Sequence, residues 1–547
     1  MSNKLKQGKN AVEERLRKFA RPVKPEEMNR MAGTEDRGRR TRSSKIFSLG
    51  RGLYQAVMYP EAVHFKNKAT GELQEIDNTL IPVTDTAGDT YLTNRCNDEL
   101  KVEFHNAQAA AMILMQTEDG RMLSWKLENA QDVQPKIINA VKPRHAEDDR
   151  RRAVLDNLEG EVVYENVIPG VDMNCSVQAL RFKDFFTFKD LANAQPVTFL
   201  VSMPDMVPEK MEDGSIQIIA PTGEVAFTLP KPYLKDASVE AAYGAVAVSM
   251  EPAGDPFTWR ITFTPDMDWM QTAQFPVVLD PAVITKNHSS AIEDNFVSSA
   301  YPNSVQSYSD TGMTVSYSSS SWGTSRAFIK FLASGLPAID SSYYITKAIF
   351  NVKTKTAPTT AASIYLKEVP EYWNSQAITY NNAPDLSDVK PLDYQYMDAD
   401  ETWYNYDISN LVRKWYGGEN NGFALESTTR TYLELYTSDH AYSKPYVTIN
   451  YVSLAGLEDY LVYEDQDVGR AGVGHVSLYN GNLIFERQDT SCSGNRMPVS
   501  ISHIYNSCYR NVTAFGAGAG WKMNVQQTLH RETLTDDNDG STCCWRT

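Results

Sequence analysis

The stretch WYNYDISNLVRKWYGGENNGFAL, residues 403–425, decides how the middle of the chain folds. Either Asp407 or Ser409 can accept a hydrogen bond from the free backbone amides of a helix that begins near Ile408. The pair Gly417-Gly418 can end that helix in a left-handed cap. The stretch therefore predicts one short helix between two strands that carry aromatic residues.

The aromatic rings of this stretch could belong to a core or to a ligand platform. Leu411, Val412 and Trp415 lie at i, i+1 and i+4, on one side of two helical turns, so Trp415 is expected in the core. Trp403 and Tyr404 precede the helix in a strand, where neighbouring side chains face opposite ways. One ring of that pair is therefore a candidate for exposure.

The length and composition of the chain favour several β-rich domains. A chain of 547 residues is too long for a single core and suggests three or four domains. Short apolar runs separated by Ser, Thr, Asn and Asp favour many short strands over long helices. Hairpin signals recur between residues 48 and 286, for example at Asp119-Gly120 and Thr222-Gly223, and suggest antiparallel β-sandwiches.

The charge of the chain is unevenly distributed. The formal net charge is −16 and the isoelectric point is about 5.1, which argues against general nucleic-acid binding. Residues 1–45 carry a surplus of roughly eight positive charges and are expected to form a flexible basic tail. One helix is possible inside this tail, with Asn10 as its N-cap and Glu13 completing a capping box. Export machinery could read the basic tail.

Sequence patterns for membrane insertion and for metal-binding cysteines are absent. No apolar run of roughly 18 residues occurs, so no transmembrane helix is expected. The N-terminus lacks the apolar segment of a signal peptide. The six cysteines show no zinc-binding spacing and are expected to be free thiols, with a Cys492–Cys508 pair as the alternative.

The order of several motifs resembles a known family. The motifs are IEDNFVSSAYPNS, SRAFIKFLASGLPAI, ITKAIFNV, EYWNSQAITYNNAP, WYNYDISNLVRKWYGGENNGFAL and SKPYVTINY. Together they resemble a DNRLRE domain, which is similar to carbohydrate-binding module family 96, over residues 287–453. The resemblance implies a jelly-roll β-sandwich on an extracellular or cell-surface protein, with polysaccharide or cell-wall glycan as the partner.

The flanking segments resemble a second set of proteins. Residues 164–188 and 261–283, and the segment from Gly469 to Ser507, resemble wall-associated, Rhs/YD-repeat proteins of Gram-positive bacteria. The resemblance implies that residues 454–547 begin a Rhs-type β-sheet shell, apparently truncated. The expected organisation is a tail at 1–45, a β-sandwich region at 46–286, the jelly-roll domain at 287–453 and this shell region. The expected fold class is mostly β, with tandem antiparallel β-sandwiches.

Candidate carbohydrate-binding residues lie in the central domain. Exposed aromatic rings can stack on sugar faces, and nearby polar groups can orient the hydroxyls. Trp373 is flanked by polar residues, and Tyr404 lies in the strand before the helix. These two rings, with Asn374 and Arg326 as polar neighbours, are the predicted binding residues.

A hard cation is the alternative ligand. Glu293 and Asp294 open the predicted jelly roll, and Asp439 lies near its end. If the two ends meet, these carboxylates could share a calcium ion through oxygen ligands. Turn carboxylates at strand ends are the simpler interpretation.

Sequence motifs of the common hydrolases are missing. No GxSxG elbow, HExxH motif or P-loop occurs, and the eight histidines do not cluster. The sequence therefore predicts a protein that is not an enzyme. Two alternatives stay open: a structural scaffold for the assembly or delivery of a polymorphic toxin, and a polysaccharide-degrading enzyme that uses Glu293 or Asp294.

Overall fold

The computed structural model describes most of the chain after the N-terminal segment. The described residues are 34–50, 52–68, 70–138, 155, 157–212, 214–238, 242–280, 282–285, 291–306, 312–440, 443–458, 460–494, 498–510, 513, 516–526, 530–535 and 542–546. The predicted basic tail up to residue 33, with its proposed helix, and residues 144–153 lie outside this set.

Short strands dominate the described residues, in agreement with the mostly-β prediction. The strands are β1 (Thr34–Glu35), β2 (Ser44–Gly50), β3 (Leu53–Met58), β4 (His64–Lys66), β5 (Leu73–Glu75), β6 (Asp77–Thr84), β7 (Thr90–Cys96), β8 (Leu100–Phe104), β9 (Ile113–Thr117), β10 (Met122–Leu127), β11 (Lys136–Ile137), β12 (Glu159–Ile168), β13 (Val171–Gln178), β14 (Arg181–Phe188), β15 (Val197–Ser202), β16 (Val207–Lys210), β17 (Ile216–Ile219), β18 (Val225–Leu229), β19 (Tyr233–Lys235), β20 (Tyr243–Pro252), β21 (Thr258–Pro265), β22 (Val277–Asp280), β23 (Ala282–Thr285), β24 (Ile292–Ser298), β25 (Gly312–Ser319), β26 (Gly323–Phe331), β27 (Tyr343–Lys353), β28 (Ala362–Glu368), β29 (Asp393–Met397), β30 (Trp403–Asp407), β31 (Phe423–Ser427), β32 (Thr431–Tyr436), β33 (Tyr446–Ser453), β34 (Tyr463–Asp467), β35 (Val473–Ser477), β36 (Leu483–Cys492), β37 (Val499–Asn506), β38 (Trp521–Met523), β39 (His530–Thr535) and β40 (Thr542–Arg546). The α-helices are α1 (Met267–Met270) and α2 (Ser409–Tyr416).

Two antiparallel sheets form a sandwich around the central core. One sheet has the strand order β1-β2-β3-β33-β27-β30, and the other has the order β29-β28-β31-β26-β25-β32, with β24 paired to β26. Alternating side chains of both sheets point inward. Phe350 and Ile449 of the first sheet and Leu425 of the second belong to one fully buried cluster. This arrangement agrees with the expected β-sandwich.

The sandwich contains strands that the sequence assigned elsewhere. In β3, Tyr54 pairs with Tyr451 of β33, and β2 pairs with β3. Ile46 and Met58 are fully buried in the core of the sandwich. The predicted boundary between residues 45 and 46 therefore does not match the sheets. Pairing between strands so far apart in sequence leaves no local signal, which explains the difference.

The strands from β6 to β23 close into a barrel. Two antiparallel sheets share β20, which pairs with β19 on one side and with β21 on the other. A second large cluster of buried apolar residues, which includes Tyr164, Phe182 and Phe227, fills this region. The barrel occupies residues 77–285 and thus lies, in sequence, between two parts of the sandwich.

Helix α2 forms where the sequence predicts it. It begins at Ser409, whose backbone amide donates to Asp407 Oδ1 at 3.0 Å, and it ends before Gly418, which has φ = +93°. Trp415 is 4% exposed and packs against Phe331 with 6.2 Å between the ring centroids. The prediction that Trp415 belongs to the core is confirmed.

A separate five-stranded sheet, of order β34 to β38, follows the sandwich. Strands β35 and β36 form a hairpin that turns at Asn480-Gly481, where Gly481 has φ = +74°. Cys492 and Cys508 are free thiols in the structure, as the first of the two cysteine interpretations expects. The hairpin of β39 and β40 completes the described chain.

Candidate functional site

The segment between β28 and β29 covers the outer face of the seven-stranded sheet. Trp373 lies in this segment, is 4% exposed and stacks edge-on against Phe328 of β26 at 5.6 Å. The indole Nε1–H donates to the Asn421 carbonyl at 2.7 Å. Both the ring and its polar edge are thus engaged inside the protein. This placement contradicts the expectation that Trp373 is an exposed ring.

Tyr404 lies far from Trp373 in the architecture. It is 9% exposed and faces the core between the two sheets, while Trp373 covers the outside of one sheet. Its hydroxyl accepts a hydrogen bond from the Asp398 amide at 3.2 Å. The structure therefore does not bring the two predicted rings together, and Tyr404 is not an exposed ring either. Trp403 is the more exposed of the pair, but it packs against Tyr446 at 5.4 Å.

The two predicted polar neighbours remain near the surface. Asn374 is half-buried, and its side-chain oxygen accepts from the Gln376 amide at 2.8 Å. Arg326 forms an ion pair with Glu426 at 3.1 Å and lies 5.8 Å from the centroid of the Tyr380 ring. Both side chains keep part of their surface in contact with solvent.

The three carboxylates proposed for calcium do not converge. Glu293 and Asp294 are successive residues of β24 and point to opposite faces, because side chains alternate along a strand. Glu293 forms an ion pair with Lys330 at 2.9 Å, while Asp294 accepts hydrogen bonds at 2.7 Å from the backbone and from the hydroxyl of Ser438. Asp439 forms a buried ion pair with Arg181. Only Asp294 and Asp439 lie close together.

Burial controls the protonation of Asp294. Burial and the neighbouring Asp439 raise the pKa of Asp294 to about 6. Each carboxylate of the proposed calcium site already has a partner in the protein. These three carboxylates are therefore members of hydrogen-bond and ion-pair networks within the protein.

Two exposed tyrosines and one half-buried tyrosine lie together at one edge of the sandwich. Tyr394 and Tyr396 of the edge strand β29 are 58% and 59% exposed, and Tyr365 of β28 lies directly opposite Tyr394 with 5.9 Å between the ring centroids. We call Tyr365, Tyr394 and Tyr396 the tyrosine ridge. Residues two apart on a strand are separated by roughly 6.6 Å and share a face. The ridge therefore presents a row of rings to solvent.

A cleft of about 440 Å³ opens beside the ridge, where β29 meets the start of α2. Its lining is mostly polar: Thr346, Lys347, Leu392, Asp393, Asp407, Ile408, Ser409, Asn410, Leu411 and Arg413. We call this cavity the polar cleft. Asp393 and Tyr394 are adjacent residues of β29, so the cleft and the ridge lie at the same edge of the sandwich but on opposite faces of that strand.

Ion pairs and hydrogen bonds fix the side chains of the polar cleft. Lys347 Nζ lies 2.5 Å from Asp407 Oδ2, and the Asp407 amide donates to Asp393 at 2.8 Å. Arg413 donates to Asn410 at 2.9 Å. Burial raises the pKa of Asp407, but the hydrogen bonds from Lys347 and Ser409 outweigh burial, so the pKa lies below its ordinary value. The cleft thus offers fixed carboxylates, an amide and cations to a polar ligand.

This surface is not among the sites that the sequence predicts. The segment DYQYMD alternates polar and apolar residues in a way that shows a strand but not which face is covered. The inward side chain is Met397, which is fully buried, and this leaves the two tyrosines outside. The spacing of two residues between the tyrosines is the sequence feature that places both rings on one face of a strand.

Two family models match the chain. Residues 285–451 match carbohydrate-binding module family 96, and residues 474–545 match a domain of unknown function, DUF6531. The first match covers most of the sandwich, including the tyrosine ridge and the polar cleft, but not β1 to β3. No helix within the described residues has the length and apolar character needed to cross a membrane.

Several curated proteins are similar to the chain. A tRNA(Glu)-specific nuclease WapA of Bacillus subtilis subsp. natto is 25% identical over 455 residues, which is 79% of this chain and 18% of that protein. A tRNA nuclease WapA of Bacillus subtilis is 24% identical, also over 79% of this chain and 18% of its own length. A wall-associated protein of Geobacillus stearothermophilus is 24% identical over 212 residues, covering 38% of this chain and 76% of that protein.

Solved structures add little to these similarities. A heparinase III structure shares 10% identity and covers 48% of this chain and 42% of its own, with a TM-score of 0.23. The N-terminal domain of a Streptococcus gordonii adhesin covers 86% of this chain and 98% of its own at 8% identity, with a TM-score of 0.10.

The relatives correct one prediction. The sequence alone predicts a protein that is not an enzyme, but three relatives are named as tRNA nucleases, an enzymatic activity. The chain spans 18% of the length of these relatives, so the lack of catalytic motifs within it does not exclude an enzymatic activity of the whole protein. The wall-associated relative and the family match favour a cell-surface protein. The chain is similar to wall-associated, Rhs-like proteins, and residues 285–451 of its central sandwich match carbohydrate-binding module family 96.

Proposed function

We propose that the chain attaches a wall-associated, Rhs-like protein to a polysaccharide of the cell envelope, and that the tyrosine ridge and the polar cleft form the binding surface. The observation that carries this proposal is the pair Tyr394 and Tyr396, two neighbouring rings that are more than half exposed on an edge strand. The match to carbohydrate-binding module family 96 supports it.

The chemistry of the surface suits a sugar chain. The faces of exposed rings can stack against the apolar C–H faces of pyranose units, and burial of this surface supplies binding free energy. The carboxylates, amide and cations of the polar cleft can exchange hydrogen bonds with hydroxyls and so fix the register of the sugar chain. Asn374 and Arg326, both half-buried, stay candidates for further polar contacts.

The location and export of the protein follow from the same proposal. A glycan-binding module on a wall-associated protein acts outside the cell, so the protein must be exported. The basic residues near the N-terminus, with a surplus of roughly eight positive charges, are our candidate for a segment that export machinery reads.

The relatives favour a second candidate function for the whole protein. Proteins named as tRNA nucleases match most of this chain, while the chain spans 18% of their length. A nuclease activity of the full-length protein, with the present chain as the part that positions or delivers it, is consistent with these similarities. In this arrangement the sandwich and the barrel would act as an assembly scaffold.

Glycan binding by the full chain tests the first proposal. The chain is incubated with insoluble wall preparations and with plant or algal polysaccharides, and the bound fraction is measured as a function of protein concentration. We expect saturable binding that the variant Tyr394→Ala/Tyr396→Ala loses by at least tenfold in affinity.

A matched control separates loss of the site from loss of the fold. Tyr317→Ala removes a ring that is 40% exposed on β25 of the same sheet, away from the ridge. This variant should bind like the wild type. Binding that is equal in all three proteins, or no binding to any glycan, would overturn the proposed site.

A further inference from the structure

A histidine and two glutamates meet where the chain passes from the sandwich to the barrel. Glu35 lies in β1, His64 in β4 and Glu75 in β5, and one ligand atom from each lies within 4.8 Å of the others. Strand β4 pairs with β5 so that His64 lies opposite Glu75. Three different strands thus direct potential metal ligands to one point.

The hydrogen bonding of His64 defines its tautomer. Its Nδ1 lies 2.7 Å from the Thr41 carbonyl oxygen. A carbonyl only accepts, so Nδ1 carries the proton and donates it. The other nitrogen, Nε2, is therefore a lone-pair acceptor in the neutral ring. Metal-binding histidines share this arrangement, in which the distal N–H is held by a backbone carbonyl or a carboxylate.

His64 Nε2 is a buried polar atom that lacks a hydrogen-bond partner among the described residues. The side chain is 0% exposed, so water does not reach it at the surface of the protein. Leaving a buried acceptor without a partner is unfavourable, and native structures avoid it. Because two carboxylates lie close to this nitrogen, a cation is the ligand that the group can bind.

Two cations hold the glutamates in place. Arg40 contacts both oxygens of Glu35 at 2.5 and 2.8 Å and Glu75 Oε1 at 2.8 Å, and Lys45 Nζ lies 2.9 Å from Glu75 Oε1. The two positive charges balance the two carboxylates, so a bound metal ion must compete with them. The Glu75 side chain is 38% exposed, which gives an ion access from solvent.

We propose that Glu35, His64 and Glu75 form a binding site for a divalent transition metal of the zinc class. Zn²⁺ combines one imidazole nitrogen with carboxylate oxygens readily, and a water can complete four-coordination. Calcium prefers ligand sets made only of oxygen, so the histidine discriminates against it. The ion would connect β1, an edge strand of the sandwich, to the β4–β5 hairpin, which precedes the barrel in the chain.

The test is a Zn²⁺ titration of the full chain after removal of metals with a chelator. Competition with a chromogenic chelator measures the affinity, and Co²⁺ substitution reports the ligands through its visible absorption. We expect one ion per chain. His64→Gln and Glu75→Gln should each lower the affinity by at least about tenfold and abolish the Co²⁺ spectrum, with Ca²⁺ unable to compete.

Two further variants make the test specific. His475→Gln removes a half-buried histidine of β35 that pairs with Asp465 at 2.7 Å, and it should leave Zn²⁺ binding unchanged. Lys45→Met removes a competing cation and should tighten Zn²⁺ binding, a result that a purely structural Glu75–Lys45 pair does not predict. Equal binding in wild type, His64→Gln and Glu75→Gln, or no effect of Lys45→Met, would overturn the proposal.

Discussion

Arg181 of the barrel and Asp439 of the sandwich form an ion pair across the interface between these two parts of the chain. Both residues are buried, with 5% and 7% of their surface exposed. Beside them, Lys444 lies 3.0 Å from Glu61 and 3.4 Å from Glu159. The barrel and the sandwich therefore meet through charged groups as well as through apolar packing, and this network makes their association sensitive to mutation and to pH.

Removing one partner of the Arg181–Asp439 ion pair should lower the free energy of unfolding. Arg181→Met leaves a buried carboxylate without its partner, and we expect a loss of about 3–5 kcal/mol in the free energy of unfolding. The double variant Arg181→Met/Asp439→Asn should lose less than the sum of the single variants, because no charge is then left unpaired. Urea denaturation of the full chain measures the three values. Lys136→Met, which breaks an exposed pair with Glu165, should cost less than about 1 kcal/mol. Similar losses at both sites would refute the argument.

Two buried carboxyl groups should make the folded state less stable at higher pH. Burial raises the pKa of Glu159 to about 8, although Lys444 opposes the shift, and burial with Asp439 raises the pKa of Asp294 to about 6. The folded state thus holds these protons more tightly than the unfolded state does. Their stabilising contribution is complete below about pH 4 and is lost as the pH rises through 6 and then 8.

Thermal unfolding between pH 5 and 9 checks this expectation. Glu159→Gln removes the group that titrates near pH 8, so the fall in Tm between pH 7 and 9 should be smaller than in the wild type. The exposed Glu165→Gln variant should follow the wild-type curve. If Glu159→Gln and wild type show the same slope, the protonation of Glu159 is not linked to folding.

Trp373 should contribute to stability. Truncation to alanine removes a buried ring that packs on Phe328 and donates to Asn421, so we expect a loss of about 3–5 kcal/mol in the free energy of unfolding. The neighbouring Tyr372 is 74% exposed and contacts Lys330 at 4.9 Å, and Tyr372→Ala should cost less than about 1 kcal/mol. Chemical denaturation followed by tryptophan fluorescence distinguishes the two. A Trp373→Ala variant with wild-type stability would show that the ring does not support the fold.

Residues ahead of the barrel should stabilise the sandwich. Ile46 of β2 is fully buried in the core of the sandwich, although it lies outside the matched module, and Ile46→Ala should cost about 2–5 kcal/mol. Ile137→Ala makes the same truncation at a side chain that is 41% exposed and should change stability by less than about 0.5 kcal/mol. Urea unfolding of the full chain measures both. Equal effects would mean that β2 is not part of the cooperative core.

Local patterns explain which parts of the fold were predictable. Helix α2 and the burial of Trp415 follow from a cap, a two-turn apolar stripe and a terminal glycine, all within a short segment. Strand alternation likewise shows where hairpins form. The pairing of β3 with β33 depends on segments that are far apart in the chain, and no local feature of Tyr54 or Tyr451 reveals it.

The candidate sites show the same division between local and long-range information. The sequence identifies Trp373 as aromatic with polar neighbours, but its burial depends on packing against Phe328 of a distant strand. The tyrosine ridge requires knowledge of which face of β29 the core covers. Likewise, His64 meets Glu35 and Glu75 through strand pairing, and their spacing matches no common metal motif.

The insertion of the barrel within the sandwich sets an order for the maturation of the protein. Gln55 and Asn450, which are hydrogen-bonded in neighbouring strands, are 395 residues apart in the chain. At translation rates of about 5–20 residues per second, β3 waits roughly 20–80 s before β33 is made. Contacts of such long range form slowly, whereas the barrel strands are contiguous and can assemble first. Closure of the sandwich is then a late event, and the apolar faces of β2 and β3 need protection from aggregation until it occurs.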